Sequence, residues 1–498
     1  MRLTEDKSTR KNVLVVRDLW FRYPTSPDWV LREVNLTANQ SEVVLIIGAS
    51  GSGKTTLLRS ITGIGELVYG GERKGTVVIG ERSLNELSID ELRRLIQIVN
   101  QNAYTHFIEH SVHTDLYYSS IAIHGLTKGE RWFRKVVSIF KLSDLLERRF
   151  FELSGGQLRR AAIAKAMLWD PLVIVLDEPL MWLDDEGLEE VREVIITLKS
   201  LGKAVVVFEH RFLSLLDLTN RVYLLKNGTL FPIEHEQLKY PRKTSLATIS
   251  DASLSSDKEN DENALHKEKV FRAIDIWFKY ERSSDWILKE VQLDVASSGD
   301  NIVVYGRNGS GKSTLLKILA GYLAPMRGRI EKSSEFRAVY LPQNIYLFFT
   351  EDSLGKELRV ICFQRRGGSK CVERGTRIMR SLGVDLDLST SPFNLSWGQA
   401  IRTAISIALS PGDKQVLLMD EPFTGLTYAD RLALAKVLAK IETPKVIALS
   451  NKEAVSLMPR ARIYELRDGR LVAIKQEVYP EVFEAAEKCR ELGISGVP

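Results

Sequence analysis

Hydrophobic residues along this chain fall into short blocks whose spacing changes from place to place. Val43–Ile47, Val173–Leu176 and Ala204–Phe208 are runs of four or five consecutive apolar residues, the pattern of strands covered on both faces. Between them lie stretches with apolar residues at helical spacing. Such alternation predicts an α/β fold, a mainly parallel sheet under helices with an antiparallel β portion. The helical signal thickens over 101–153 and again over 343–395, which predicts a helical subdomain at each place.

The whole pattern occurs twice. Asp18-Leu-Trp-Phe-Arg-Tyr23 recurs as Asp275-Ile-Trp-Phe-Lys-Tyr280, GASGSGKTT as GRNGSGKST, LSGGQ as LSWGQ, VIVLDEP as VLLMDEP and RVYLLKNGTL as RIYELRDGRL, all in one order. Ordered self-similarity of this kind marks a duplication. The offset is 258 between Lys54 and Lys312 but 242 between Ser154 and Ser396, so the first copy holds extra residues, expected near Glu66–Arg82. We divide the chain into an N-terminal extension (1–10), a first domain (11–243), a linker (244–269) and a second domain (270–498). The linker is rich in Ser, Asp, Glu, Asn and Lys, a composition that stays flexible.

Composition narrows the functional classes. With 69 basic and 64 acidic residues the net charge is +5 over 498 residues, too little to indicate a nucleic-acid partner. Cys362, Cys371 and Cys489 lack metal-ligand spacing and read as incidental thiols of a reducing compartment. No apolar run approaches the roughly 18 residues of a membrane span, and the first residues lack a signal-peptide core. The expectation is a cytoplasmic chain whose membrane role, if any, comes through partners.

Two segments carry phosphate chemistry. Gly48, Ala49, Ser50, Gly51, Ser52, Gly53, Lys54 and Thr55, like Gly306, Arg307, Asn308, Gly309, Ser310, Gly311, Lys312 and Ser313, satisfy GxxxxGK[ST] between an apolar strand and a helix, which continues with Thr56 and Thr314. Glycines let backbone N–H groups curl around phosphates, the lysine adds charge there, and Thr55 or Ser313 offers a hydroxyl to Mg²⁺. Asp177-Glu178 and Asp420-Glu421 end apolar strands. The first acid of each pair suits Mg²⁺ held through water, and the second suits polarising an attacking water. Gln101 and Gln343 each close a short strand, where they can sense Mg²⁺ and water. Ser154, Gly155, Gly156 and Gln157 open a helix with a hydroxyl and bare amides, an anion site with no lysine of its own.

Together with His210, these segments resemble the ATP-binding cassette ATPases over nearly the whole chain. The resemblance implies ATP and Mg²⁺ as ligands, Tyr23 and Tyr280 as adenine-stacking rings, and head-to-tail pairing of the two domains, within one chain given a linker that spans roughly 28 Å on average. Each ATP then lies between one P-loop and the opposite signature. Three departures fall in the second copy: Trp397 for the first signature glycine, Thr427 for the aspartate matched by Asp184, and Asn451 for His210. The first site combines Lys54, Gln101, Asp177, Glu178 and His210 with Ser396, Gly398 and Gln399, and it is expected to hydrolyse. The second combines Lys312, Gln343, Asp420, Glu421 and Asn451 with Ser154, Gly156, Gln157 and Asp184, and it is expected to bind ATP and turn over slowly.

The fused pair, Val206–Arg211 and Gln343–Thr350 are similar to the energy-coupling factor importers. That likeness implies a peripheral ATPase on the cytoplasmic face of the membrane, driving uptake of a vitamin or of cobalt or nickel ions. Its partners would be a transmembrane coupling subunit and a substrate-binding subunit. The class commonly has a proline and an acid soon after its glutamine, where this chain has Gln101-Asn-Ala-Tyr-Thr-His-Phe107. Two alternatives stay open. Fused sugar-importer ATPases usually have a degraded second P-loop, which is intact here, and ribosome-associated cassette proteins usually have a long charged helical linker and two intact signatures. His106, His110 and His113 have the spacing of one helical face, read as a solvated or partner-contacting surface in preference to a metal site. Trp20, Trp29, Trp277 and Trp286 read as core packing of the repeat.

Overall fold

The structure, a computed structural model, describes residues 11–49, 51–238, 269–281, 285–297, 299–364, 367–458, 460–475 and 479–494. The N-terminal extension, Ser50 and the linker up to residue 268 lie outside these. Compactness divides the described residues into two units, 11–238 with 487–494, and 269–486.

The first unit contains β1 (Asn12–Arg22), β2 (Leu31–Asn39), β3 (Val43–Ile47), β4 (Glu72–Ile79), β5 (Arg82–Ser83), β6 (Ile96–Val99), β7 (Val173–Asp177), β8 (Ala204–Phe208), β9 (Arg221–Lys226) and β10 (Thr229–Ile233). One sheet is antiparallel, in the order β2-β1-β4-β5; the other runs β10-β9-β3-β8-β7-β6. In the latter the pairs β3–β8, β3–β9, β7–β8 and β6–β7 are parallel and β9–β10 is antiparallel. Every residue of β3 and β8 is buried, which is why both strands read as unbroken apolar runs. The core packs Leu57, Leu58 and Ile61 of helix Lys54–Ile61 against both sheets, so the helix that begins at Lys54 is anchored by its own apolar face.

The second unit contains β11 (Lys269–Phe278), β12 (Leu288–Ala296), β13 (Asn301–Tyr305), β14 (Arg327–Lys332), β15 (Arg337–Leu341), β16 (Gln415–Asp420), β17 (Lys445–Leu449), β18 (Arg462–Arg467) and β19 (Arg470–Ile474). Its sheets run β12-β11-β14 and β15-β16-β17-β13-β18-β19. The duplication reaches the backbone. Asp18 and Asp275 both take φ 49° at a bulge of the first strand. Opposite them stand Gly75 and Gly328, where a Cβ would lie 2.0 and 2.1 Å from the aspartate carbonyl oxygens. Only glycine fits there.

Helices Val112–His124, Leu126–Ile139 and Gly155–Met167 form the helical subdomain of the first unit, and Leu354–Gln364, Gly368–Ser381 and Trp397–Leu409 that of the second. Among the described residues no helix is long and apolar enough to cross a membrane.

Three expectations need correction. Most of the surplus lies past Glu66–Arg82: residues 80–95, with β5 and helix Ile89–Leu95, stand where the second unit has only 333–336 between strands. That helix is fixed by a capping box between Ser88 and Glu91, a local signal that marks its start. Cys362 and Cys371 are not separate thiols; they form a disulfide across the turn between two helices, with Cα atoms 5.6 Å apart. The tryptophans are half-buried, not core. Trp20 meets Trp29 edge to face at 5.9 Å, and Arg22 and Lys74 lie over Trp29.

Candidate functional site

After strand β3, Gly48 and Ala49 and then Gly51–Gly53 precede helix Lys54–Ile61, with Gly51 at φ 79° and Gly53 at φ 105°. A Cβ on Gly48 would lie 2.6 Å from the Leu225 carbonyl and 2.7 Å from Ser52 Oγ. Lys54 Nζ donates to the carbonyls of Gly48 (2.6 Å) and Ala49 (3.0 Å). Burial lowers the Lys54 pKa, opposed by Glu178, Glu209 and Asp177. The second loop repeats this closely: Gly309 and Gly311 at φ 79° and 105°, and Lys312 Nζ to the carbonyls of Gly306 (2.7 Å) and Arg307 (3.0 Å). Tyr23 and Tyr280 hydroxyls each lie 3.3 Å from the threonine hydroxyl after the loop, Thr56 and Thr314. The loops alone do not tell the units apart.

The strand ends do. Both glutamates sit in the left-handed region, Glu178 at φ 44° and Glu421 at φ 50°, a strained backbone of the kind stored at functional sites. Each is pinned by its N–H donating to the neighbouring strand, at Phe208 (2.8 Å) and Ala448 (3.0 Å). Around Glu178, Gln101 Nε2 donates to Oε2 at 2.8 Å and His210 Nδ1 lies 3.6 Å from Oε1. Burial works against the anion, but His210, Lys54 and Gln101 together bring its pKa down to about 2. Asp177, pushed up to about 6 by burial and by Glu178, is held back by Lys54. In the second unit burial, reinforced by Asp420, raises Glu421 to about 7 against the pull of Lys312. Lys312 Nζ is 3.9 Å from Glu421 Oε1, an oxygen that is buried without a hydrogen-bond partner among the described residues.

Three consecutive substitutions accompany this difference, and one of them removes the His210 that lowers Glu178. Glu209-His210-Arg211 corresponds to Ser450-Asn451-Lys452. Glu209 is fully buried and accepts N–H bonds from His210 (2.9 Å), Arg211 (2.9 Å) and Leu180 (3.2 Å), so it braces the turn that presents His210. Asn451 instead turns its side chain to a local task, accepting from the Ala454 N–H at 2.9 Å as the cap of helix Lys452–Ser456. A further difference is Arg159, buried and donating to the carbonyls of Gln101 (2.8 Å) and Met181 (3.4 Å). Ile401 stands at its position in the second unit, where it lines a small pocket with Gln343, Asp420 and Glu421. Sequence reasoning missed Glu209 and Arg159. A charged residue directly after a five-residue apolar strand, and an arginine on the apolar side of the signature helix, were the signals available.

Both signature serines cap their helices reciprocally: Ser154 Oγ accepts from Gln157 N–H (3.1 Å) and Ser396 Oγ from Gln399 N–H (3.4 Å). A Cβ at Gly155 would meet Leu183 at 2.8 Å, yet the second unit accommodates Trp397 by packing it edge to face on Tyr346 at 5.6 Å. Asp184 and Thr427 likewise cap the helices that follow them, accepting from Gly187 (2.8 Å) and Asp430 (3.2 Å) N–H groups. The replacements at 397 and 427 therefore preserve local structure, whereas that at 451 removes an imidazole. The three histidines do not form a cluster. His106 Nε2 accepts from the Asn100 N–H at 2.8 Å, while His113 stacks on Tyr117; among the described residues no three metal-ligating side chains converge.

Residues 31–181 and 288–424 match the family model described as ABC transporter. The chain belongs to this family. Two relatives, from Treponema denticola and Sulfurisphaera tokodaii, are each named "Putative ABC transporter ATP-binding protein". The first is 27% identical, with 92% of this chain and 95% of the relative aligned; the second is 28% identical, with 94% and 98%. Among solved structures, ABCE1 in a model of ribosome-bound archaeal Pelota and ABCE1 shares the fold, with TM-score 0.60 and 21% identity over 96% of this chain and 81% of that one. The ABC chain described here is thus an ATPase with two tandem cassettes. Its sites suit the ligand: His210 Nε2 and Ser52 Oγ in the first unit, and Ser310 Oγ and Asp420 Oδ1 in the second, are buried polar atoms with no partner among the described residues. A phosphate chain with Mg²⁺ would satisfy them.

Proposed function

We propose that this ABC ATPase is the energising subunit of an importer of the energy-coupling factor type, working on the cytoplasmic face of the membrane through separate membrane subunits. The carrying observation is an apolar surface repeated beside both glutamine loops. Phe151 and Phe393, three residues before each signature serine, are exposed, as are Tyr104 and Ile108 in the first unit and Leu347 in the second. Phe107 stacks on Phe150 at 3.7 Å and gives the first patch a firm base. An exposed apolar surface of this kind suits a protein partner.

In this reading the two cassettes pair head to tail within one chain, so that Lys54 works with Ser396, Gly398 and Gln399, and Lys312 with Ser154, Gly156 and Gln157. ATP supplies the phosphoryl group, and Thr55 with Asp177, or Ser313 with Asp420, would hold Mg²⁺. Glu178, kept ionised, polarises the attacking water; Gln101 aligns it, and His210 donates from Nε2 to the γ-phosphate. Losing one aimed donor of that kind typically costs about 10² to 10³ in rate, which makes the second site the slow one.

Affinity-tagged chain expressed in its own cells tests the assignment. Integral membrane proteins should co-purify with it, and a Phe151→Asp, Phe393→Asp double variant should lose them while still binding ATP. Co-purification with ribosomes instead would sink the importer reading.

A further inference from the structure

Asp420 ends β16 almost completely buried, and its two oxygens are treated differently. The Tyr340 hydroxyl donates to Oδ2 at 3.0 Å, whereas Oδ1 has no partner among the described residues. Tyr340 comes from β15, which pairs in parallel with β16 and sets Tyr340 beside Leu418. The matching position in the first unit, on β6 beside Val175, is Ile98, which has no hydroxyl to give. The tyrosine is held from behind by Tyr322, edge to face at 5.9 Å. Where the first unit surrounds its acids with Lys54, Arg159 and His210, the second has Lys312, Ile401 and Asn451. A buried carboxylate with fewer cations needs another donor.

We propose that Tyr340 is a positioning residue of the second site: its phenol fixes the Asp420 carboxylate and leaves Oδ1 as the oxygen that takes a Mg²⁺-bound water. The phenol supplies a neutral hydrogen bond in place of the missing cations, so Asp420 is oriented before nucleotide arrives. This rests on the reading of the second site as a MgATP site, and it makes that site depend on a residue the first site does without.

The test uses the full chain with Lys54→Ala to silence the first site, and the dissociation constant of a fluorescent ATP analogue measured with Mg²⁺ and with EDTA. Tyr340→Phe should reduce the tightening caused by Mg²⁺ about tenfold, in keeping with loss of a hydrogen bond to a charged group, and leave the EDTA value unchanged. An unchanged Mg²⁺ effect, or equal weakening in both conditions as a packing defect would give, overturns the role of Tyr340. No analogue binding by the Lys54→Ala parent in either condition would overturn the MgATP reading of the second site itself.

Discussion

Glu178 and Glu421 directly follow matching apolar strands and share a left-handed backbone, yet their charge is set in opposite directions. One is brought down to about 2 with His210, Lys54 and Gln101 around it; the other is pushed up to about 7 by burial beside Asp420. The P-loop lysines make the same bonds to their loop carbonyls to within about 0.1 Å, and each pulls its glutamate toward the anion. In this duplicated ATPase, then, the geometry of the phosphate loop is kept while the surroundings of the following glutamate differ. Substitution of Glu209-His210-Arg211 by Ser450-Asn451-Lys452 removes a brace and an imidazole, and substitution of Arg159 by Ile401 removes a cation.

The comparison breaks most visibly at the glutamates. Glu178→Gln should lower steady-state ATP hydrolysis by at least about 10², the scale of an aimed catalytic group, while Glu421→Gln should keep most of it; a phosphate-release assay reads both. Next in size is His210→Asn, which gives the first site the residue of the second. Its kcat should fall roughly 10²-fold with little change in nucleotide affinity, and a kcat within a factor of two of the parent would show that the imidazole does not set the asymmetry.

The smallest effect is on stability. Burial, with Lys165 and Arg159 nearby, lowers His106 to about 4. Between pH 6.5 and 4 the unfolded chain therefore binds a proton that the folded chain does not, so stability is full above 6.5 and falls as pH drops toward 4. Protonation would also convert the Nε2 acceptor of the Asn100 N–H into a donor. Unfolding free energies from urea titrations at pH 7 and 5 should differ less for His106→Gln than for the parent, by an amount on the order of 1 kcal/mol given the partial exposure of His106. Equal differences in the two proteins would show that His106 does not carry this pH dependence.

Much of this was legible in the sequence where the chemistry is contiguous. The P-loops, the paired acids and the signatures are local strings whose strand-to-helix setting follows from the flanking apolar pattern. What was not legible depends on meetings across the chain. Arg159 reaches the glutamine loop 58 residues away, and Tyr340 reaches Asp420 over 80. Glu209 was visible as a letter, but only the fold shows that it is buried under three N–H donors. The position of Trp397 also reads as damage in the string, whereas its packing on Tyr346 leaves the capping geometry of Ser396 in place. Cys362 and Cys371 looked unrelated because the turn that joins their helices was not apparent from spacing.

One site is expected to turn over while the other holds its nucleotide. This is tested most directly by incubating the chain with labelled MgATP, removing free nucleotide rapidly, quenching in acid and counting what stays bound. About one intact ATP should be retained per chain, with turnover coming from the other site. Complete conversion of bound nucleotide to ADP, at two per chain, would contradict it.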